Sequence, residues 1–570
     1  MNKIRIFIFS AISILTGLIA FNLGSRPHVE DATSAEFSAE RIVNDIEVIS
    51  QKCHSVAHPE ERAEVREYLI ARLKQIGADT IRTFKYESLT GPENKHVTYT
   101  FDATNILATF APVNVDNEAS YLLMVAHYDS RYSQPIAKKD TVWSYGAADD
   151  GYGIGVILES INQALKYRNE WQQGIKVLFT DAEEVGMKGM KAMWEKNREE
   201  FDNIGFMINI EARGPYGPAL LFETSPGNEK IMELYKSAKY PFTYSLTTVV
   251  YNFMPNFTDF TIVKDEIPGM NFSTIADINH YHTDLDNFSN INTKSIQHYG
   301  SQITPIVKEY LTKTQYSDLN SLKSDYDTIN FTIPSLGLFN FSKEKYLLLN
   351  IAIYIVFIIM ATIEILRGRV KLGNILSRAG VAILSAIGAL VAGELLTFIC
   401  CLVTGVTFKP FGIVQGIPFD NFAMIVAVII TTIIAAAIHL RQRNKAMQCV
   451  ANSLRTNAKS SAALTNATND LYGTLVPLLL FSTLLLIFIN ENLMFFIPLA
   501  ISTISIVLYR LTKMKIFVIG AIALILLHAI SFLHALAMAL TIGAFGAVLM
   551  LALLDILIII PLADIYLTKK

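Results

Sequence analysis

Cysteine is scarce, with four in 570 residues. Cys53 stands alone in the hydrophilic part, Cys400 and Cys401 are neighbours in an apolar run, and Cys449 lies in a basic loop. A disulfide framework for the hydrophilic part is thereby excluded. Charge is scarce too, at 17% of residues against about 25% in soluble domains. The net charge of −3 shows no basic surplus, so nucleic acid is not an implied partner. The shortage of charge is uneven. Residues 30–345 are an ordinary soluble mixture, whereas 346–567 are mostly apolar blocks of membrane-spanning length.

The N-terminus reads MNKIRIFIFSAISILTGLIAFNLGSRP, a short basic start before an apolar run. No A-x-A cleavage site follows it, which favours a retained anchor over a signal peptide. Seven further apolar blocks lie near 346–366, 381–403, 422–440, 471–489, 492–509, 516–536 and 539–565. Basic residues follow alternate blocks: Arg367, Arg369, Lys371 and Arg378, then Arg441, Arg443, Lys445, Arg455 and Lys459, then Arg510, Lys513 and Lys515. Lys3 and Arg5 begin this alternation, and Lys569 and Lys570 end it. The positive-inside bias then gives eight spans with both termini cytoplasmic. It puts the hydrophilic domain on the extracytoplasmic side, meaning periplasmic or extracellular, or lumenal in a eukaryote. Glu394, His528 and Asp555 fall inside apolar blocks. Such groups face protein or water, which suits a bundle with a polar interior or simple bonds between helices.

Within the hydrophilic part, helical periodicity runs over 38–47 and 59–77. Strand-like runs follow near 79–87, 97–110 and 121–126, then 175–180 and 204–210, with a helix expected over 151–167. Strands alternating with helices predict an α/β fold with a mostly parallel sheet flanked by helices on both faces. An α-helical multispan membrane domain follows. The expected division is an anchor over 1–30, a hydrophilic α/β domain over 31–315, a connecting segment over 316–344, and a membrane domain of about seven helices over 345–570.

The chemistry lies in five segments, MVAHYDS, GAADDGYG, LFTDAEEVG, INIEARG and NHYHTD. They carry His127, Asp149, Glu183, Glu184, Glu211 and His282, each expected at or after a buried strand. Imidazole nitrogens and carboxylate oxygens are zinc ligands. Asp149 is able to bridge two ions, Glu184 and Glu211 each add a carboxylate, and His127 and His282 add imidazoles. Asp129 would accept the second ring N–H of His127. Glu183, beside a ligand, would take a proton from water and pass it to a leaving amine. Each motif alone has a plain reading: a surface pair, a helix cap, a solvated acidic pair, a polar loop. Their joint occurrence in this order is far more specific.

Together these segments resemble the co-catalytic zinc aminopeptidases of the aminopeptidase-Y type, over about 38–315. The resemblance implies that His127, Asp149 and Glu211 hold one zinc, and that Asp149, Glu184 and His282 hold a second. It implies Glu183 as general acid/base, Asp150 following Asp149 through a cis peptide, and Tyr281 as a stabiliser of the oxyanion. The layout of one N-terminal span, a peptidase domain and a multispan region is similar to the endoplasmic-reticulum and vacuolar members, which more usually have nine spans.

Arg213 is placed to contact substrate or brace its loop, Trp143 and Tyr145 to wall the pocket, and His280 reads as structural. The expected function is a membrane-anchored di-zinc aminopeptidase acting on peptides, with lipid as its other partner. Two alternatives are a glutaminyl cyclase-like acyltransferase with one zinc, told apart by metal count, and a non-catalytic receptor or complex subunit. Relatives of the last kind lose ligands, and none is lost here.

Overall fold

The buried apolar runs assemble into one seven-stranded sheet in a computed structural model. It describes residues 2–20, 27–91, 100–114, 119–131, 143–252, 257–417, 429–431, 433–435, 437 and 456–568. The strands are β1 (Thr80–Thr90), β2 (Thr100–Phe110), β3 (Tyr121–His127), β4 (Gly174–Thr180), β5 (Ile204–Ala212), β6 (Tyr216–Thr224) and β7 (Gly269–Ala276). Their order is β1-β2-β4-β3-β5-β7-β6. The central four, β4, β3, β5 and β7, run parallel. β2 is antiparallel to β4 and to β1, and β6 is antiparallel to β7. The flanks depart from a parallel layout for a physical reason. Only three residues join β5 to β6, too few for a parallel crossover, which takes a dozen or more.

β4 is buried along its whole length, the mark of a strand covered on both faces. β3 shows how the two faces are filled. Leu122, Met124 and Ala126 enter one core cluster while Leu123 and Val125 enter the other, as the two-residue repeat of a strand requires. The first face is covered by α2 (Val43–Ile49), α3 (Pro59–Ile76), α4 (Gly151–Leu165) and α9 (Thr293–Thr312). The second is covered by α5 (Lys188–Lys196) and α8 (Asp259–Val263), while α6 (Glu229–Tyr235) adds to the first, α7 (Ser245–Asn252) packs beside β6, and α1 (Asn2–Leu18) is the N-terminal helix. β8 (Thr328–Ile333) and β9 (Gly337–Ser342) form a separate two-stranded sheet.

The chain divides into two compact units, one of Ser25–Thr332 with Gly337–Lys343, the other of Met1–Gly24, Ile333–Leu336 and Glu344–Lys570. Five segments of the described residues, all but Lys343 within the second unit, are long and apolar enough to cross a membrane: Lys343–Leu366, Leu372–Thr404, Thr465–Ile489, Leu493–Thr512 and Ile516–Leu567. A 3-10 turn at Thr541–Ala544 splits the last into two helices. Among the described residues the N-terminal helix is apolar over Ile4–Leu18. The block expected near 422–440 lies mostly outside the described residues, as do Arg441, Arg443, Lys445, Arg455, Lys569 and Lys570.

Asn492 is a polar hub inside the apolar unit. It donates to Asn350 at 2.8 Å and to Ser482 at 2.8 Å, and accepts from Tyr346. His528 and Asp555 are buried, and the His528 ring stacks on Phe532 at 5.9 Å. The half-buried Glu394 has its carboxylate near the backbone N–H groups of Phe411 and Gly546.

Candidate metal centre

The carboxyl ends of β3, β4, β5 and β7 lie side by side, and the chain steps from β3 out to β4 before returning past β3 to β5. A crevice opens at such a reversal in an α/β sheet, and the candidate residues meet there. His127 is the last residue of β3 and Glu211 the penultimate residue of β5. Glu183 and Glu184 follow β4, and His282 lies six residues beyond β7 with a left-handed φ of 60°. Asp149 arrives differently from the expectation. It lies in a turn before α4, joined by a cis peptide to Asp150.

Two triads form, His127–Asp149–Glu211 and Asp149–Glu184–His282, each with one ligand atom per residue within 4.8 Å of the others. His127 Nε2 lies 3.3 Å from Asp149 Oδ1 and 3.8 Å from Glu211 Oε2. His282 Nε2 lies 3.1 Å from Glu184 Oε2 and 3.3 Å from Asp149 Oδ2. Asp149 thus faces one histidine with each oxygen. His282 Nε2, Asp149 Oδ2 and Glu184 Oε1 are buried, and none of them makes a well-directed hydrogen bond among the described residues. Buried polar atoms are rarely left so, and a convergent set of imidazole nitrogens and carboxylate oxygens fits zinc.

Electrostatics point the same way. Burial pushes Glu183 well above the usual carboxylate range, and the Glu211 carboxylate adds to the push. Burial raises Glu211 itself to about 8. Burial also works against the charge of Asp149, but His127 and His282 overcome it and hold its carboxyl well below the usual range. For His127, burial favours the neutral ring, and the carboxylates of Asp149, Glu183 and Glu211 outweigh it to raise the pKa. So many carboxylates crowded out of water call for a compensating cation.

Asp129 requires a correction. His127 Nδ1 donates to the main-chain oxygen of Asp129 at 2.9 Å, not to its carboxylate, whose Oδ1 is 3.7 Å away. The Asp129 carboxylate instead accepts from the backbone N–H of Glu183 at 2.9 Å and of Glu184 at 3.3 Å. It fixes the acidic turn, while the carbonyl fixes the histidine tautomer and leaves Nε2 for the centre. Asp150 caps α4, accepting from Gly153 N at 3.0 Å. A Cβ on Gly153 would come within 2.3 Å of Asp150 Oδ2, so the cap takes glycine at that position.

Tyr281 stacks on His282 with ring centroids 3.5 Å apart, and the Arg213 guanidinium lies 5.9 Å from the Tyr281 ring. His280 pairs with Asp277 at 3.1 Å. Trp143 packs edge-on against His58 at 4.7 Å, and Tyr145 donates its backbone N–H to Asp286 O at 3.2 Å.

Three supporting residues were not foreseen. Asp286 accepts from Ala148 N at 2.7 Å, Asp149 N at 3.3 Å and Ser144 Oγ at 3.0 Å. Asn209 donates to Glu211 Oε1 at 3.0 Å. Arg131 Nη1 lies 3.2 Å from Glu184 Oε2. The only hints in the sequence are short offsets: Asn209 shares a strand face with Glu211, and Asp286 and Arg131 each lie four residues beyond a candidate histidine.

The α/β sheet thus carries a buried histidine–carboxylate cluster at the carboxyl ends of its parallel strands, a donor set suited to a metal ion. Residues 105–307 match the sequence model described as Peptidase family M28. Mouse endoplasmic reticulum metallopeptidase 1 is 30% identical over 233 residues, covering 40% of this chain and 24% of that protein. The vacuolar membrane protease of Schizosaccharomyces pombe is 26% identical over 349 residues, covering 57% of this chain and 37% of that protein. The chain thus spans only about a quarter to two fifths of the length of these relatives. Among solved structures, a zinc aminopeptidase from Bacillus subtilis is 13% identical with a TM-score of 0.38, covering 51% of this chain and 99% of that one. A glutaminyl cyclase from Fimbriiglobus ruber is 15% identical with a TM-score of 0.38, covering 50% and 99%.

Proposed function

We propose that the protein is a membrane-anchored aminopeptidase with two zinc ions per chain, removing N-terminal residues from peptides. The observation that carries this reading is the pair of triads sharing Asp149. His127, Asp149 and Glu211 would hold one ion, and Asp149, Glu184 and His282 the other. Zinc at these positions would polarise the scissile carbonyl and acidify water. Glu183 then takes the water proton and delivers it to the departing amine, a task that suits a carboxyl whose pKa burial raises above the usual range. Tyr281 donates its hydroxyl to the oxyanion. Arg213, beside the Tyr281 ring, orients the substrate. Carboxylates outnumber cationic side chains around the centre, which favours a substrate that presents a protonated amine.

The reading extends to topology. The alternation of basic loops from Lys3 and Arg5 onward supports eight spans, cytoplasmic termini and an extracytoplasmic peptidase domain. The catalytic test uses paired peptides of one sequence, with a free and with an acetylated N-terminus. Cleavage restricted to the free amine is expected. Equal rates on both would mean an endopeptidase.

A further inference from the structure

The two triads differ in what surrounds them. In the first, no cationic side chain among the described residues is paired with a ligand: the Asp129 carbonyl orients His127, and the neutral Asn209 amide engages Glu211 Oε1. Both His127 and Asp149 are almost wholly withdrawn from solvent. In the second, Glu184 Oε2 faces a full positive charge, the Arg131 guanidinium at 3.2 Å. Arg131 Nη1 also donates to the Glu184 main-chain oxygen, so the guanidinium is tied to the acidic turn at both ends of that residue. Glu184 therefore offers only Oε1 without a partner among the described residues. A fixed cation beside a ligand carboxylate repels an incoming dication and withdraws one of its donor atoms.

We propose that Arg131 keeps the two halves of the centre unequal, holding down the affinity of the Asp149–Glu184–His282 half so that its ion loads second and leaves first. This rests on the two-zinc reading above. Arg131 is a positioning residue here, acting through Glu184 and not on the substrate. The second ion then comes and goes at zinc concentrations at which the first stays bound, and activity follows free zinc over that range.

The test is calorimetric titration of zinc chloride into the full-length, detergent-solubilised chain after removal of metal with a chelator. The wild type should show two steps, the second at least about tenfold weaker (roughly 1.4 kcal/mol). In Arg131→Gln the second step should tighten at least about tenfold while the first is unchanged. Arg131→Lys, which keeps the charge and loses the planar fork, should retain the wild-type gap. Two equal steps in the wild type would overturn the proposal without any variant. So would an unchanged or weakened second step in Arg131→Gln, or Arg131→Lys behaving like Arg131→Gln. Binding of a single ion or none by the wild type would instead sink the two-zinc reading itself.

Discussion

Several residues of the centre are held by a partner distant in sequence or by the main chain: Glu184 by Arg131, the Asp149 turn by Asp286, and His127 by the Asp129 carbonyl. Glu183→Gln keeps the shape and removes the proton shuttle, so both ions should stay and turnover should fall by roughly a hundred- to ten-thousandfold; elemental analysis and initial rates on one preparation check this. Asp286→Ala removes the acceptor for two buried N–H groups of the Asp149 turn. The cost should be about 1–3 kcal/mol per group left unpaired, seen as a lower melting temperature together with a lower kcat. His54 makes a pH prediction. Burial pushes its pKa down from 6.5 to about 4, against the opposing hydrogen bond to the Lys52 carbonyl. Above about pH 6.5 the group is neutral in both folded and unfolded chains. As pH falls from 6.5 toward 4, only the unfolded chain takes up the proton, so stability is lost, by at most roughly 3 kcal/mol at about 1.4 kcal/mol per pH unit. His54→Gln should flatten the fall of melting temperature between pH 7 and pH 5. At this scale the candidate ligands were legible because each stands in a short motif, with His127, Glu184 and Glu211 at or just after a strand end. Asp286 and Arg131 were not, because they become neighbours of the centre only through folding. The main-chain oxygen that orients His127 leaves no mark on a sequence pattern.

Among elements, α4 matters most to the centre, since its cap follows directly on Asp149. Asp150→Ala removes the acceptor for Gly153 N and should cost about 1 kcal/mol, as loss of an N-cap commonly does. Thermal melting of the metal-free protein separates this cost from any loss of zinc. Elements with strong periodicity were readable. The expected 151–167 helix is Gly151–Leu165, and the 175–180 and 204–210 strands are Gly174–Thr180 and Ile204–Ala212. β6 and β7 were not read, though both are almost wholly buried. β6 begins in GPYGP, where Gly214 (φ 152°), Pro215 and Gly217 (φ 93°) signal a turn and mask the strand that follows. β7 is a short run, GMNFSTIA, whose Asn271 and Ser273 break the apolar pattern. Asn271 is nonetheless fully buried, donating to Glu223 at 3.0 Å and Thr258 at 2.9 Å.

At the scale of the whole chain, apolar content was legible because it depends on length and composition alone, and five segments of spanning length are present among the described residues. Sidedness rests on charge bias. A cysteine introduced at the exposed Asn320 should react with an impermeant thiol reagent in intact cells, above the level of the parent chain. Reaction only after permeabilisation would reverse the topology. The division of the C-terminal stretch was harder to read, since Ile516–Leu567 is apolar throughout and broken only by the Thr541–Ala544 turn. The central claim is the shared-aspartate pair of zinc ions, and the most direct measurement is the zinc-to-protein ratio of the purified full-length chain by elemental analysis. The account predicts two zinc ions per chain, falling below two in His127→Ala and in His282→Ala. One zinc per chain in the wild type, unchanged by His282→Ala, would contradict it.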